Sequence, residues 1–158
     1  MKWIFFICGI LVILLLAALF WLKYGRIPTP LRTGQIQIDH KVIEVEIVDT
    51  ILSRERGLSG RNGLEKNQGM LFIFGMAAKH RFWMKDMKIP LDMIWIKGDR
   101  IVGITEQVHP DFQKSFWQLP IYYPPEAVDK VLEVPAGTVA LHSWRVGSVV
   151  QFPSSTVK

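Results

Sequence analysis

Six consecutive residues, Gly69 to Phe74, read GMLFIF without one polar side chain. A half-buried strand alternates apolar with polar at period two, so an unbroken apolar run between turn signals predicts a strand covered on both faces. Strand signals dominate the neighbouring sequence as well. GQIQID and KVIEVEIV, Gly34 to Asp39 and Lys41 to Val48, do alternate, placing Ile43, Val45 and Ile47 on one face and Glu44 and Glu46 on the other. They predict a hairpin turning near Asp39 and His40.

Thr50 to Arg56 loses the alternation, starts with the capping pair Asp49 and Thr50, and stops at Gly57, which predicts a helix of about two turns. The Gly- and Asn-rich stretch LSGRNGLEKNQG then reads as a structured loop. LDMIWIKGDRIVGITEQV, Leu91 to Val108, predicts a second hairpin around Gly98 and Asp99. His109 to Glu126 holds four prolines with Phe112, Phe116, Trp117, Tyr122 and Tyr123, which excludes regular structure; such a loop is either functional or a set of rings capping an open end. KVLEVPAGT gives a strand and a turn at Pro135 to Gly137, Thr138 to His142 one helical turn, and SVVQF the last strand. The expected fold is mainly β, a compact sandwich or barrel-like domain with one or two short helices, preceded by a single transmembrane helix.

That helix is read from Trp3 to Leu22, where no charge interrupts the chain between Lys2 and Lys23. Twenty residues at about 1.5 Å each span roughly 30 Å of hydrocarbon, and Trp3, Trp21 and Tyr24 suit its two interfaces. A cleaved signal peptide is the competing reading, kept open by Ala17 and Ala18, although Leu19-Phe20-Trp21-Leu22 is bulky where a peptidase needs small residues. The expected layout is an anchor over 1–26, a Pro-rich linker over 27–33, a β domain over 34–153 and a tail over 154–158. Charge does not settle the orientation, since Lys2 and the amino terminus face Lys23, Arg26 and Arg32 on the other flank, and the domain is expected outside the cytoplasm.

Formal charge is +5, but Lys2, Lys23 and Arg26 belong to the anchor region, and the remaining 16 bases face 14 acids. No basic footprint for nucleic acid survives. Cys8 lies in the apolar run, and CxxC, HExxH and GxGxxG patterns are absent. His40, His80, His109 and His142 lack ligand spacing, so neither a metal nor a cofactor is expected. The domain reads as a monomer.

Four motifs occur together: RERGLSGR at Arg54 to Arg61, GMLFIF, FWMKDMKIPLDMIWI at Phe82 to Ile96, and VLEVPAG at Val131 to Gly137. In combination they resemble the domain of unknown function 192 family, small mostly-β domains of bacteria and archaea, over Val45 to Phe152. The resemblance implies a compact sandwich or barrel with a short helix. It implies no catalytic residue, because the family carries no accepted mechanism. Ser148, where an acid often follows the glycine, and Ser59-Gly60, in place of a bulkier pair, depart from the pattern.

Two chemistries compete for the polar residues. Asp86 and Asp92, with Glu106 or Glu133, could form the paired carboxylates of a hydrolase acting on an envelope polymer. Alternatively Arg54, Asp86, Asp92 and Glu133 form a structural network, with Arg54 or Arg61 neutralising Asp92 and Glu133. Trp83 stands beside His80, Arg81 and Lys85 at the expected start of a strand, with Phe82 and Met84 on the other face. A non-catalytic module for a glycan, peptide or protein would use Trp83, Arg61, Lys85, Phe116, Trp117, Tyr122 and Tyr123. A third class, assembly through the membrane helix, has little support because Gly9, Ala17 and Ala18 make no GxxxG.

Overall fold

The computed structural model describes residues 12–16, 18–19 and 30–153. They fall into two units, one up to Pro30 and one from Leu31 onward. In the first, residues 12–16 and 18–19 are helical, and Val12 to Leu16 and Leu19 are exposed. Among the described residues no helix is long and apolar enough to cross a membrane. Most of the expected span Trp3 to Leu22, residues 27–29 of the linker and the 154–158 tail lie outside the described residues.

The second unit is a curled seven-strand mixed half-barrel with short helices. Its elements are β1 (Arg32–Ile38), β2 (Lys41–Val48), α1 (Ile51–Arg56), β3 (Gln68–Ala78), β4 (Leu91–Lys97), β5 (Arg100–Val108), β6 (Val128–Pro135), α2 (Thr138–His142) and β7 (Val150–Gln151). The strand order is β5-β4-β6-β3-β2-β1-β7. Both hairpins form as their turn residues require, with Asp39 at φ 52° and Gly98 at φ 60°. Strand β1 starts at Arg32, inside the segment read as linker, and the last strand is only two residues long.

The parallel pair β2–β3 has no signature in strand alternation. It arises because residues 49–67, with α1 at their head, carry the chain back across the sheet before β3 begins, the kind of crossover parallel strands need. The two ends of the sheet meet at one corner. Val149 bridges Arg100 of β5, Ile101 N donates to Ser148 O at 3.1 Å, and Asp39 N of the first hairpin turn donates to Val149 O at 3.1 Å.

Two apolar clusters lie on opposite faces of the sheet. The inner one draws on all seven strands, with Ile36, Ile43, Leu71, Ile94, Leu132 and Val150 among its members, and adds Val139 and Trp144. The outer one centres on β3, β4 and β6, takes in Val48 of β2 and Val108 of β5, and is covered by Leu58, Phe82, Met84 and Met87 from the connecting segments. Double coverage explains the unbroken apolar runs: Met70 and Phe72 face outward while Leu71 faces inward, and Met93 and Trp95 alternate likewise with Ile94 and Ile96. The Trp83 segment is not a strand. Phe82 makes one isolated bridge, to Tyr122, because the connector lies over the sheet as its cover instead of joining its edge.

Candidate functional site

Alternation along β6 puts Glu133 on the outer face with Val131, opposite Leu132 and Val134. Its register neighbours across β3 and β4 are Met70 and Met93, each 0% exposed. Glu133 itself is 5% exposed. Among the described residues no hydrogen bond or ion pair reaches its carboxyl, and burial alone pushes its pKa up to about 8. At neutral pH the group is therefore an O–H donor. It borders a cleft of about 150 Å³.

One wall of that cleft is α1. Thr50 and Ser53 cap each other reciprocally, Ser53 N donating to Thr50 Oγ1 at 3.1 Å and Thr50 N to Ser53 Oγ at 3.0 Å. Gly57 ends the helix at φ 48°, where a Cβ would stand 3.3 Å from the Phe72 ring. The helix buries no residue, which leaves Glu55 and Arg56 at the mouth of the cleft. The loop after it is tied to the connector: Ser59 Oγ donates to Lys85 O at 2.9 Å and Gly60 N to Asp86 O at 2.8 Å.

The opposite wall is that connector. Phe82 packs edge-on against Phe72 and Trp95, with centroids 5.0 and 5.4 Å away, and exchanges two backbone hydrogen bonds with Tyr122 at 3.0 and 2.8 Å. Its neighbours Arg81 and Trp83 line the cleft, the first exposed and the second half-buried. Arg54 also lines it but is committed inward: its Nη1 donates to Ile73 O at 2.8 Å, and its guanidinium lies 5.1 Å from the Phe74 centroid. Arg56 and Arg81 are exposed and make no ion pair among the described residues. The recess thus offers a neutral acid at its base, an indole on its wall, and two guanidiniums and the Glu55 carboxylate at its rim.

The other expected residues scatter. Arg61 does not neutralise Asp92 or Glu133; it forms a two-pronged pair with Glu46 of β2, one contact at 2.8 Å, and the hydrogen bonds to Glu46 raise its pKa. Asp92, 0% exposed, needs no arginine either. Its Oδ1 accepts from Gln107 N at 2.8 Å and its Oδ2 from Val139 N, in the first turn of α2, at 3.0 Å. Asp86 sits in the turn of the connector at φ 54°, and Lys85 beside it is exposed. Arg54, Asp86, Asp92 and Glu133 accordingly form no single network, because backbone groups satisfy two of them and no group among the described residues satisfies Glu133. The four acids weighed as a catalytic set do not converge either: Glu133 borders the α1 cleft, Glu106 borders a separate open recess of about 630 Å³, and Asp92 is spent on amides.

That second recess lies between β5 and the aromatic loop, with Tyr122 and Phe112 on it. In the loop Trp117 is 89% exposed, Tyr123 is exposed and the Phe116 side chain lies outside the described residues. The bridge to Phe82 brings Tyr122 up to the connector, but Trp83 faces the other recess. A groove of about 450 Å³ over Thr33, Gln35, Glu44 and Gln68 is wider than the α1 cleft, yet the carboxylate that enters it from Glu46 is already held by Arg61. Among the described residues no group of three or more His, Cys, Asp or Glu side chains could hold a metal ion.

Fold and recess together define a small mostly-β domain with a cation-rimmed pocket on its covered outer face. The chain belongs to the domain of unknown function 192 family, described as Uncharacterized ACR, whose model matches residues 34–152. No curated protein matches it. Solved crystal structures share the fold, two of them as follows. A Sinorhizobium meliloti protein described as a "putative transcription regulator" is 28% identical, with a TM-score of 0.70 over 78% of this chain and 95% of that one. A protein of unknown function from Novosphingobium aromaticivorans is 23% identical, with a TM-score of 0.71 over 80% and 90% of the two chains.

Proposed function

We propose that this domain is a non-catalytic binding module of the cell envelope, tethered by residues 3–22, whose site is the α1 cleft. The observation that carries the reading is Glu133, a carboxyl without a partner among the described residues that borders a recess open to solvent. Burying an acid between two methionines works against folding, and a core that needed only apolar filling would place a third hydrophobe there. Arg56 and Arg81 at the rim make an anionic ligand the natural occupant, and the Trp83 indole suits its carbon skeleton. Of the four acids weighed for hydrolysis, Asp86, Asp92, Glu106 and Glu133, only Glu133 lines this cleft, which favours binding over the hydrolase alternative.

Tethering is supported by the length of the apolar run and by the exposed apolar side chains of Val12 to Leu16. Gene regulation through nucleic acid, which the description of the S. meliloti protein would suggest, finds little support in a domain whose bases exceed its acids by two. The test is retention of the full-length chain on immobilised envelope polymers of defined charge. Trp83→Ala and the double change Arg56→Ala with Arg81→Ala are expected to lower retention on anionic polymers about tenfold or more, as loss of contacts worth about 1.4 kcal/mol would do. Equal retention of wild type and both variants would overturn this choice of site.

A further inference from the structure

We infer that the α1 cleft recognises a carboxylate, through a hydrogen bond donated by the neutral Glu133 side chain, so that ligand is released when Glu133 loses its proton. This rests on the cleft being the binding site and adds what it binds and how the interaction is gated.

The geometry limits the ligand's polar end. Leu58, Phe72, Phe74, Phe82 and Met87 line the cleft with apolar side chains, and these offer a ligand no hydrogen bond. Ser59 already donates its hydroxyl proton to Lys85 O, and Arg54 is held by Ile73 O and by the Phe74 ring. The Glu133 O–H is the donor at the base, Trp83 carries an indole N–H on the wall, and Arg56 and Arg81 stand with Glu55 at the mouth. A group with a single charge and two acceptor oxygens matches that supply. A phosphate, with three terminal oxygens, brings more acceptors than the donors at the base can meet, and an acceptor left against the apolar walls goes unpaired.

The same arrangement makes binding depend on proton occupancy. The charged groups facing the carboxyl from the packed elements are Arg54, Glu55 and Arg56 of α1 and Arg81 of the connector; β3 and β4 contribute only Met70 and Met93 at its sides. None of these cations holds Glu133 ionised, since burial is what sets its affinity for the proton. Below about pH 8 a ligand carboxylate meets a donor, and above it a second carboxylate. A neutral buried acid that donates to an oxyanion is a known device of binding sites.

The carboxylate could belong to an acidic sugar or to a peptide terminus. Ligand-observed NMR on the full-length chain in mild detergent would compare D-glucuronate, N-acetyl-alanine, inorganic phosphate and D-glucose between pH 6 and pH 9.5. We expect one or both carboxylates to bind at pH 6 and to weaken about tenfold or more by pH 9.5. Which of the two binds better identifies the sugar or the peptide source. Glu133→Gln keeps a donor without a titrating proton, so its affinity is expected to show no such fall. Glu133→Met removes the donor and should abolish carboxylate binding while keeping the melting transition cooperative. Phosphate or glucose preferred over both carboxylates, or a wild-type affinity flat with pH, would sink the inference while leaving the cleft as the site. Carboxylate binding unaffected by the Arg56 and Arg81 double change would instead count against the cleft itself.

Discussion

Glu133 and Asp92 are buried acids on adjacent strands, yet they face opposite sides of the sheet and meet different surroundings. Asp92 has two backbone N–H groups aimed at it, from Gln107 at a bulge of β5 and from Val139 in α2, and so stitches three elements together. Asp92→Asn keeps one acceptor and turns an NH₂ group towards an N–H donor. The expected cost is about 1–3 kcal/mol, read as a melting temperature several degrees lower. Glu133 has no such partners, and its effect on stability runs with pH. The unfolded chain releases this proton near 4.5 while the folded chain keeps it to about 8. The folded state thus binds more protons across that window, so stability falls as pH rises from about 4.5 to about 8 and levels off above. Each pH unit costs about 1.4 kcal/mol. Urea titrations at pH 5, 7 and 9 should show the slope in wild type and its loss in Glu133→Gln, with the variant the more stable above pH 8.

At the scale of elements, the cleft depends on two pieces that the sheet does not hold directly. Helix α1 buries nothing and is kept in place by its capping box and by the carbonyl contacts of Arg54. Thr50→Ala should therefore cost about 1 kcal/mol, felt mainly as local fraying. Amide exchange at Arg54 and Gly57, whose N–H groups close the helix onto Thr50 and Ser53, is expected to accelerate about fivefold, while the strand amides stay protected. The connector is held chiefly by Phe82, which touches Phe72, Phe74 and Trp95 and pairs with Tyr122. Phe82→Ala is expected to lower stability by about 3–5 kcal/mol and to release Trp83 from the cleft wall, measurable as a loss of cooperativity and of ligand retention together. Gly103 does similar service for the far end of the aromatic loop. A Cβ there would lie 2.7 Å from Pro125, so the loop can return to β6 only across a glycine.

For the whole molecule, the anchor reading makes a separate expectation: the chain should stay with membranes after carbonate extraction and keep residues 1–22 in its intact mass. A mature protein beginning after about residue 18 would make the segment a signal peptide. Within the β domain, much was legible from local pattern. Alternation marked β1 and β2, paired turn residues marked both hairpins, Thr50 and Gly57 marked the ends of α1, and the unbroken run at Gly69 to Phe74 announced a strand covered on both sides. Those features follow from steric and capping preferences that act over a few residues, so a linear reading can find them. What covers the outer face is not a local property. Nothing near Phe82 in the sequence says that its segment lies over the sheet without joining it, and nothing near Glu46 says that Arg61 will reach it across the β2–β3 crossover. Strand order alone places Met70 and Met93 beside Glu133, and distant backbone N–H groups, not arginines, reach Asp92. The sequence determined by itself which segments are strands and which faces are apolar, because those depend on neighbours along the chain. Which buried acid is satisfied and which stands alone at the base of a cleft depends on neighbours across the sheet, and only the tertiary structure decided it.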